Sequence, residues 1–163
     1  MSFEGLRGVD ALLEVEWAKY QLGAVPVVDL PSVGVRLLEA GAEDVEVAEL
    51  GALPAAAPRP AAEDAFDAIG RARDLPFLTD PTRRLELGRV LTVAIADARL
   101  DAAAGAGLIY RLLRWNGDGH YIEDESLQQI ASYALLLDEY PESRAELLEQ
   151  IEVAARDSGG RAA

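Results

Sequence analysis

Apolar residues recur at steps of three and four along most of the chain, the spacing that gathers them on one side of an α-helix. Val9, Leu13, Trp17 and Tyr20 form the first stripe, widened by Leu12, and Gly23 stands where that helix should stop. Residues 24–28 are β-prone but short and interrupted by Pro26, so they read as a connector. Asp29-Leu30-Pro31 resembles a helix start with proline in its first turn; Val35, Leu37 and Leu38 follow, and Gly41 closes it. Glu43 and Asp44 begin a shorter helix carrying Val47, Ala48 and Leu50 and closed by Gly51. The alternation Val45-Glu46-Val47 would suit a strand, but it is too brief to outweigh its helical neighbours.

Three prolines in seven residues, Pro54 to Pro60, mark 54–62 as a linker and a plain surface loop. Beyond it Glu63 and Asp64 open a helix with Phe66 and Ile69 that ends near Arg71 and Arg73, acids first and arginines last as the helix dipole prefers. Asp80-Pro81 is the strongest start signal in the chain, an acidic cap followed by proline at the first helical position. The helix it predicts carries Leu87, Val90, Leu91, Ala94, Ile95 and Ala98. Leu85 and Val93 lie off that stripe and suggest a helix buried on more than one side. Asp101 caps a helix striped by Leu108, Ile109, Leu112 and Leu113. Gly105 and Gly107 either precede that helix or allow close packing. Leu127, Ile130, Ala131, Ala134 and Leu137 define the next helix, stopped at Tyr140-Pro141. Leu147, Leu148, Ile151, Ala154 and Ala155 define the last, which should end before a disordered tail at 158–163. The sum is an all-α single domain, an irregular bundle of seven or eight helices: three short helices in 9–51, then a main bundle over 63–157. A helix-pair repeat array is the second choice, because no constant repeat period is present.

Composition narrows the chemistry. With no cysteine among 163 residues there are no disulfides, thiolate metal sites or cysteine nucleophiles. The N-terminal residues lack the basic start and apolar run of a signal peptide, and no apolar stretch is long enough to span a membrane, so a cytoplasmic protein with no membrane partner is expected. The net charge of −14 is unevenly spread: residues 1–50 and 118–163 are strongly acidic, while 51–117 hold nine arginines against eight acids. Phosphate backbones repel such a chain, which argues against nucleic acid as a partner and leaves a basic protein as the natural one. A homo-oligomer also fits.

Candidate chemistry is sparse. The lone histidine, His120, lies in Trp115-Asn116-Gly117-Asp118-Gly119-His120-Tyr121 with carboxylates on both sides. No glycine-framed serine, helical histidine pair or phosphate-cradling loop completes a catalytic set, and no catalytic residue is assigned. A calcium-loop count from Asn116 fails at its sixth and twelfth positions, Tyr121 and Leu127. Turn pairs followed by a cap at Asp124 or Ser126 explain the segment better. No metal or cofactor is expected. Tyr110, Arg114, Trp115, Asp118, His120 and Tyr121 mix aromatic and charged groups as recognition surfaces do, and they are the candidate binding residues. Glu43, Asp44, Glu46 and Glu49 form one acidic run, and the spacing of Glu142, Glu146 and Glu149 puts them on one helical face.

The leucine-rich short helices, broken by Gly41 and Gly51 around Glu43-Asp44-Val45-Glu46-Val47-Ala48-Glu49-Leu50, resemble small uncharacterised all-helical proteins of GC-rich bacteria. Some of these look like immunity proteins of toxin systems. The resemblance is one of texture and implies no site residues. It supports the expectation of a non-enzymatic acidic interaction domain, immunity- or antitoxin-like, that masks a basic partner. The alternative is a small-molecule-binding protein or enzyme with a site near residues 110–125.

Overall fold

A computed structural model describes residues 3–115, 117, 119 and 121–161, excepting the side chains of 3–7, 160 and 161. Among the described residues there are eight α-helices, two 3-10 turns and no strand, the all-α architecture that the periodicity predicts. The chain divides into two compact units, Met1–Phe77 and Leu78–Ala163. The division does not fall at the proline-rich stretch. That stretch is shorter than 54–62, because Arg59 already begins a helix with Pro60 in its first turn, where a missing N–H costs nothing.

The first unit contains α1 (Phe3–Gln21), a 3-10 turn (Val27–Asp29), α2 (Leu30–Glu39), α3 (Val45–Gly51) and α4 (Arg59–Ala72). Val45-Glu46-Val47 is helical, so the strand option falls. Gly23 and Gly41 adopt φ of +71° and +106° just beyond α1 and α2, as helix-ending residues do. Gly51 does something else. It stays inside α3, and a Cβ on Gly34 of α2 would meet its backbone nitrogen at 2.6 Å, so the pair lets two helix backbones touch.

Aromatic rings fill this unit's core. Trp17 is 1% exposed and donates its indole N–H to the Pro76 carbonyl at 2.7 Å. Phe66 and Phe77 meet it edge-on at 5.4 and 5.1 Å, and Tyr20 packs beside it. Gly70 of α4 faces the indole so closely that any Cβ there would overlap the ring. Tyr20 donates its hydroxyl to Asp67 at 2.9 Å; burial, followed by that bond, pushes the phenol above its ordinary range.

Ion pairs tie the same unit together. Arg73, just past α4, donates to both carboxylate oxygens of Asp44 (2.6 and 2.9 Å) and to Asp10 of α1 at 2.8 Å. Asp44 occupies the N-cap position of α3 but makes no capping bond, because its oxygens are taken by the guanidinium fork. The hydrogen bonds from Arg73 hold the Asp44 carboxyl below the usual range and, reciprocally, raise the guanidinium. Glu16, nearly buried in α1, sits 3.4 Å from both Lys19 and Arg36.

The second unit contains α5 (Arg84–Ala96), α6 (Ala102–Arg114), α7 (Glu125–Glu139), a 3-10 turn (Pro141–Ser143) and α8 (Arg144–Arg161). Its core is aliphatic, with Leu87, Leu91, Ile109, Leu112, Ile130 and Ile151 all almost wholly buried. Asp101 and Asp124 cap α6 and α7 through the N–H groups of Ala104 and Leu127, at 3.0 and 2.9 Å. Gly105 lies inside α6, where a Cβ would strike Ile95 at 2.6 Å; close packing is its role, while Gly107 faces open space.

Three expectations are corrected here. Asp80-Pro81 does not start α5: the Asp80 carboxylate accepts from the N–H and hydroxyl of Thr82, closing a separate turn, and the helix begins four residues later. Those two bonds also lower the Asp80 carboxyl from its ordinary value. α5 is not buried all round, since Val93 is 42% exposed. Ser158 to Arg161 extend α8 where a disordered tail is expected; the Ser158 hydroxyl donates back to the Ala154 carbonyl and so keeps to the helix.

Candidate functional site

The sequence-predicted binding residues fare differently from one another. Tyr110 and Arg114 lie one turn apart on α6, and the Arg114 guanidinium sits 5.5 Å from the Tyr110 ring centre. Trp115, the C-cap of α6, faces the guanidinium of Arg84 at 4.2 Å. Arg84 is itself buried, with Nε donating to the Leu78 carbonyl at 2.7 Å, while Trp115 is half-buried. Tyr121 is 65% exposed. Asp118 and His120 lie outside the described residues, and so does Asn116. The structure therefore joins Tyr110 to Arg114 and sets half-buried Trp115 against Arg84.

At the edge of this segment the second unit has a small cleft of ≈ 220 Å³, lined in part by Arg89, Thr92, Val93, Asp124, Ser126 and Ser158. Val93, the apolar residue off the α5 stripe, forms part of its wall. Three of its polar groups have bonds elsewhere: Thr92 to the Gly88 carbonyl, Ser158 to Ala154 and Asp124 to the Leu127 N–H. Ligand pockets generally span about 300–1,000 Å³, so this cleft is small for one.

The charged surface is more distinctive. From the end of α7 to the middle of α8, Asp138, Glu139, Glu142, Glu146 and Glu149 are all exposed. Among the described residues none of the five is in an ion pair, although Arg144 stands in their midst. Helix α7 ends at Glu139 because Pro141 cannot continue it, and this break throws Tyr140 outward at 49% exposure. Leu135 one turn earlier is 46% exposed. Glu146 and Glu149 share a side of α8 with exposed Val153, whereas Glu142 sits in the preceding 3-10 turn and not on the helical face expected for it. The surface is thus a run of carboxylates interleaved with an aromatic and two aliphatic side chains.

No family model, curated protein or solved structure matches the chain. Its site is read from its own residues. Among the described residues no three His, Asp or Glu side chains group as metal ligands, and no helix is long and apolar enough to cross a membrane. Sequence inspection singled out the three glutamates but not Tyr140 and Leu135. Part of the signal was present in Tyr140-Pro141: proline drives the residue before it out of helical conformation and so ends the helix there.

Proposed function

We propose that this chain is an acidic protein-interaction domain, immunity- or antitoxin-like, that masks a basic surface on a partner protein. The observation that carries the reading is the run of exposed, unpaired carboxylates from Asp138 to Glu149 around Tyr140. Carboxylates left without cations raise the negative potential there and steer a basic partner toward it. A half-exposed tyrosine supplies the rigid, amphipathic contact area on which interface hot spots are built. The cleft described beside residues 110–125 is smaller than an ordinary ligand pocket and does not by itself favour a small-molecule reading.

Affinity capture from extracts of the protein's own cell tests the reading. The expected result is a basic protein retained at low salt and released as ionic strength rises, since screening weakens pairs across an exposed rim. Retention indifferent to salt, or no protein retained at all, would overturn it.

A further inference from the structure

The first unit has a face of opposite character around its first 3-10 turn. Val28 there is 70% exposed and lines two adjoining hollows of ≈ 320 and ≈ 370 Å³; Pro31 and Ala55 also line both. None of the fourteen lining residues is acidic, in a chain with 29 Asp and Glu. The two charged side chains at its edges have carboxylates of their own: Arg36 lies 3.4 Å from Glu16, and Arg59 lies 2.8 Å from Glu63. Asp29, the last residue of the same turn, is exposed beside it, but on a molecule of net charge −14 the lining of the hollows is charge-poor.

Two copies of so acidic a chain repel each other wherever carboxylate meets carboxylate, and a charge-poor face is where that repulsion is least. A protruding apolar side chain beside a hollow on the same face is the geometry of a two-fold contact, in which each copy supplies both knob and socket. We infer that this face pairs two copies of the chain, the Val28 of each entering a hollow beside the Val28 of the other. Fourteen residues are fewer than the 20–30 a side of a standard interface, so the dimer is weak, with a dissociation constant of ~10 μM or above. Salt acts on it in the opposite sense to the basic partner of the second unit: screening relieves the repulsion between copies and tightens the pair.

Sedimentation equilibrium from about 10 to about 500 μM protein, at low and high salt, tests this. The wild-type average mass should climb toward two chains with concentration, and further at high salt. Val28→Asp should weaken association by about tenfold or more, since each pair would bury two carboxylates in an apolar socket. Val35→Asp, at a second exposed position of the same face, should show the same loss, so the inference stays testable if one variant misfolds. Val153→Asp on α8 should dimerise as wild type does. A wild-type chain that stays monomeric at every concentration overturns the proposal and leaves the face to an apolar segment of another protein. Aspartate variants of Val28 and Val35 that pair undiminished overturn it too.

Discussion

In the first unit Asp10, Asp44, Glu16 and Glu63 each face a cation, and Asp67 accepts from Tyr20. In the second, Asp101 and Asp124 cap helices, Glu86 and Asp97 pair locally with Arg83 and Arg99, and the five carboxylates from Asp138 to Glu149 face outward with no cation among the described residues. Both units are acidic, yet their carboxylates do different work. Where a guanidinium crosses from one helix to another, as Arg73 does, a carboxylate helps to hold the fold. Where none does, it costs self-repulsion and makes no internal contact. Such an uncompensated run belongs to the outside of the molecule, and it is the observation from which recognition on α7 and α8 is proposed. The first unit is not free of outward acids, since Glu43 and Glu49 stay exposed, but Arg73 has taken Asp44 out of that cluster.

The cores differ as well, and the largest effect is expected there. Trp17→Ala removes the ring that joins Phe66, Phe77 and Gly70. It should cost about 3–5 kcal/mol in urea denaturation followed by helicity. A loss below about 1 kcal/mol would mean that the aromatic cluster does not organise the first unit.

Next in size is the Arg73 clamp. Arg73→Ala should cost about 1 kcal/mol at pH 7, modest because the guanidinium is partly solvated. The gap between variant and wild type depends on pH in a defined direction. Asp44 is held below its ordinary value by Arg73, so the stability it contributes is fully present above its unfolded pKa, ~3.9. It drains away as pH falls through the lower folded value. Denaturation curves at pH 7 and pH 2.5 should therefore converge at the acidic end; a gap that widens on acidification would contradict the assignment.

Smaller still, and opposite in sign, is the expected effect at the end of α5. Ala98 holds φ at +56°, a left-handed conformation that a Cβ disfavours. Ala98→Gly should raise stability by about 0.5–1 kcal/mol, read as a higher thermal midpoint, once glycine's added freedom in the unfolded chain is set against the relieved strain.

That residue also shows why the sequence was legible in some places and not in others. Helices ending at Gly23 and Gly41 could be read, because glycine at φ > 0 is a local rule. The end of α4 near Arg71 and Arg73 could be read too, from the basic residues that the helix dipole prefers there. The end of α5 could not, because Ala98 adopts the left-handed conformation without a glycine to announce it. Asp101 and Asp124 capped as their positions suggest, yet Asp44 and Asp80 did not, since Arg73 and Thr82 compete for the same oxygens. The prolines at 58 and 60 carried two meanings, linker and helix start, and packing of α4 on α2 and α3 chose the second. For the site, the acidic spacing on α8 was visible in one dimension. The exposure of Tyr140 and the lack of cations among the described residues needed three, as did the contact of Trp115 with Arg84.

The most direct test sets the two acidic surfaces against each other at equal net charge. Glu142→Lys/Glu146→Lys/Glu149→Lys in the second unit and Glu43→Lys/Glu46→Lys/Glu49→Lys in the first shift the total by the same amount. Each lies at solvent-accessible positions and should change stability by no more than about 0.5 kcal/mol per site. Capture of the basic partner from cell extract at low salt should be abolished by the first triple substitution and retained by the second. Equal loss in both would show that overall charge alone governs binding, and undiminished capture by the first would contradict the assignment of recognition to α7 and α8.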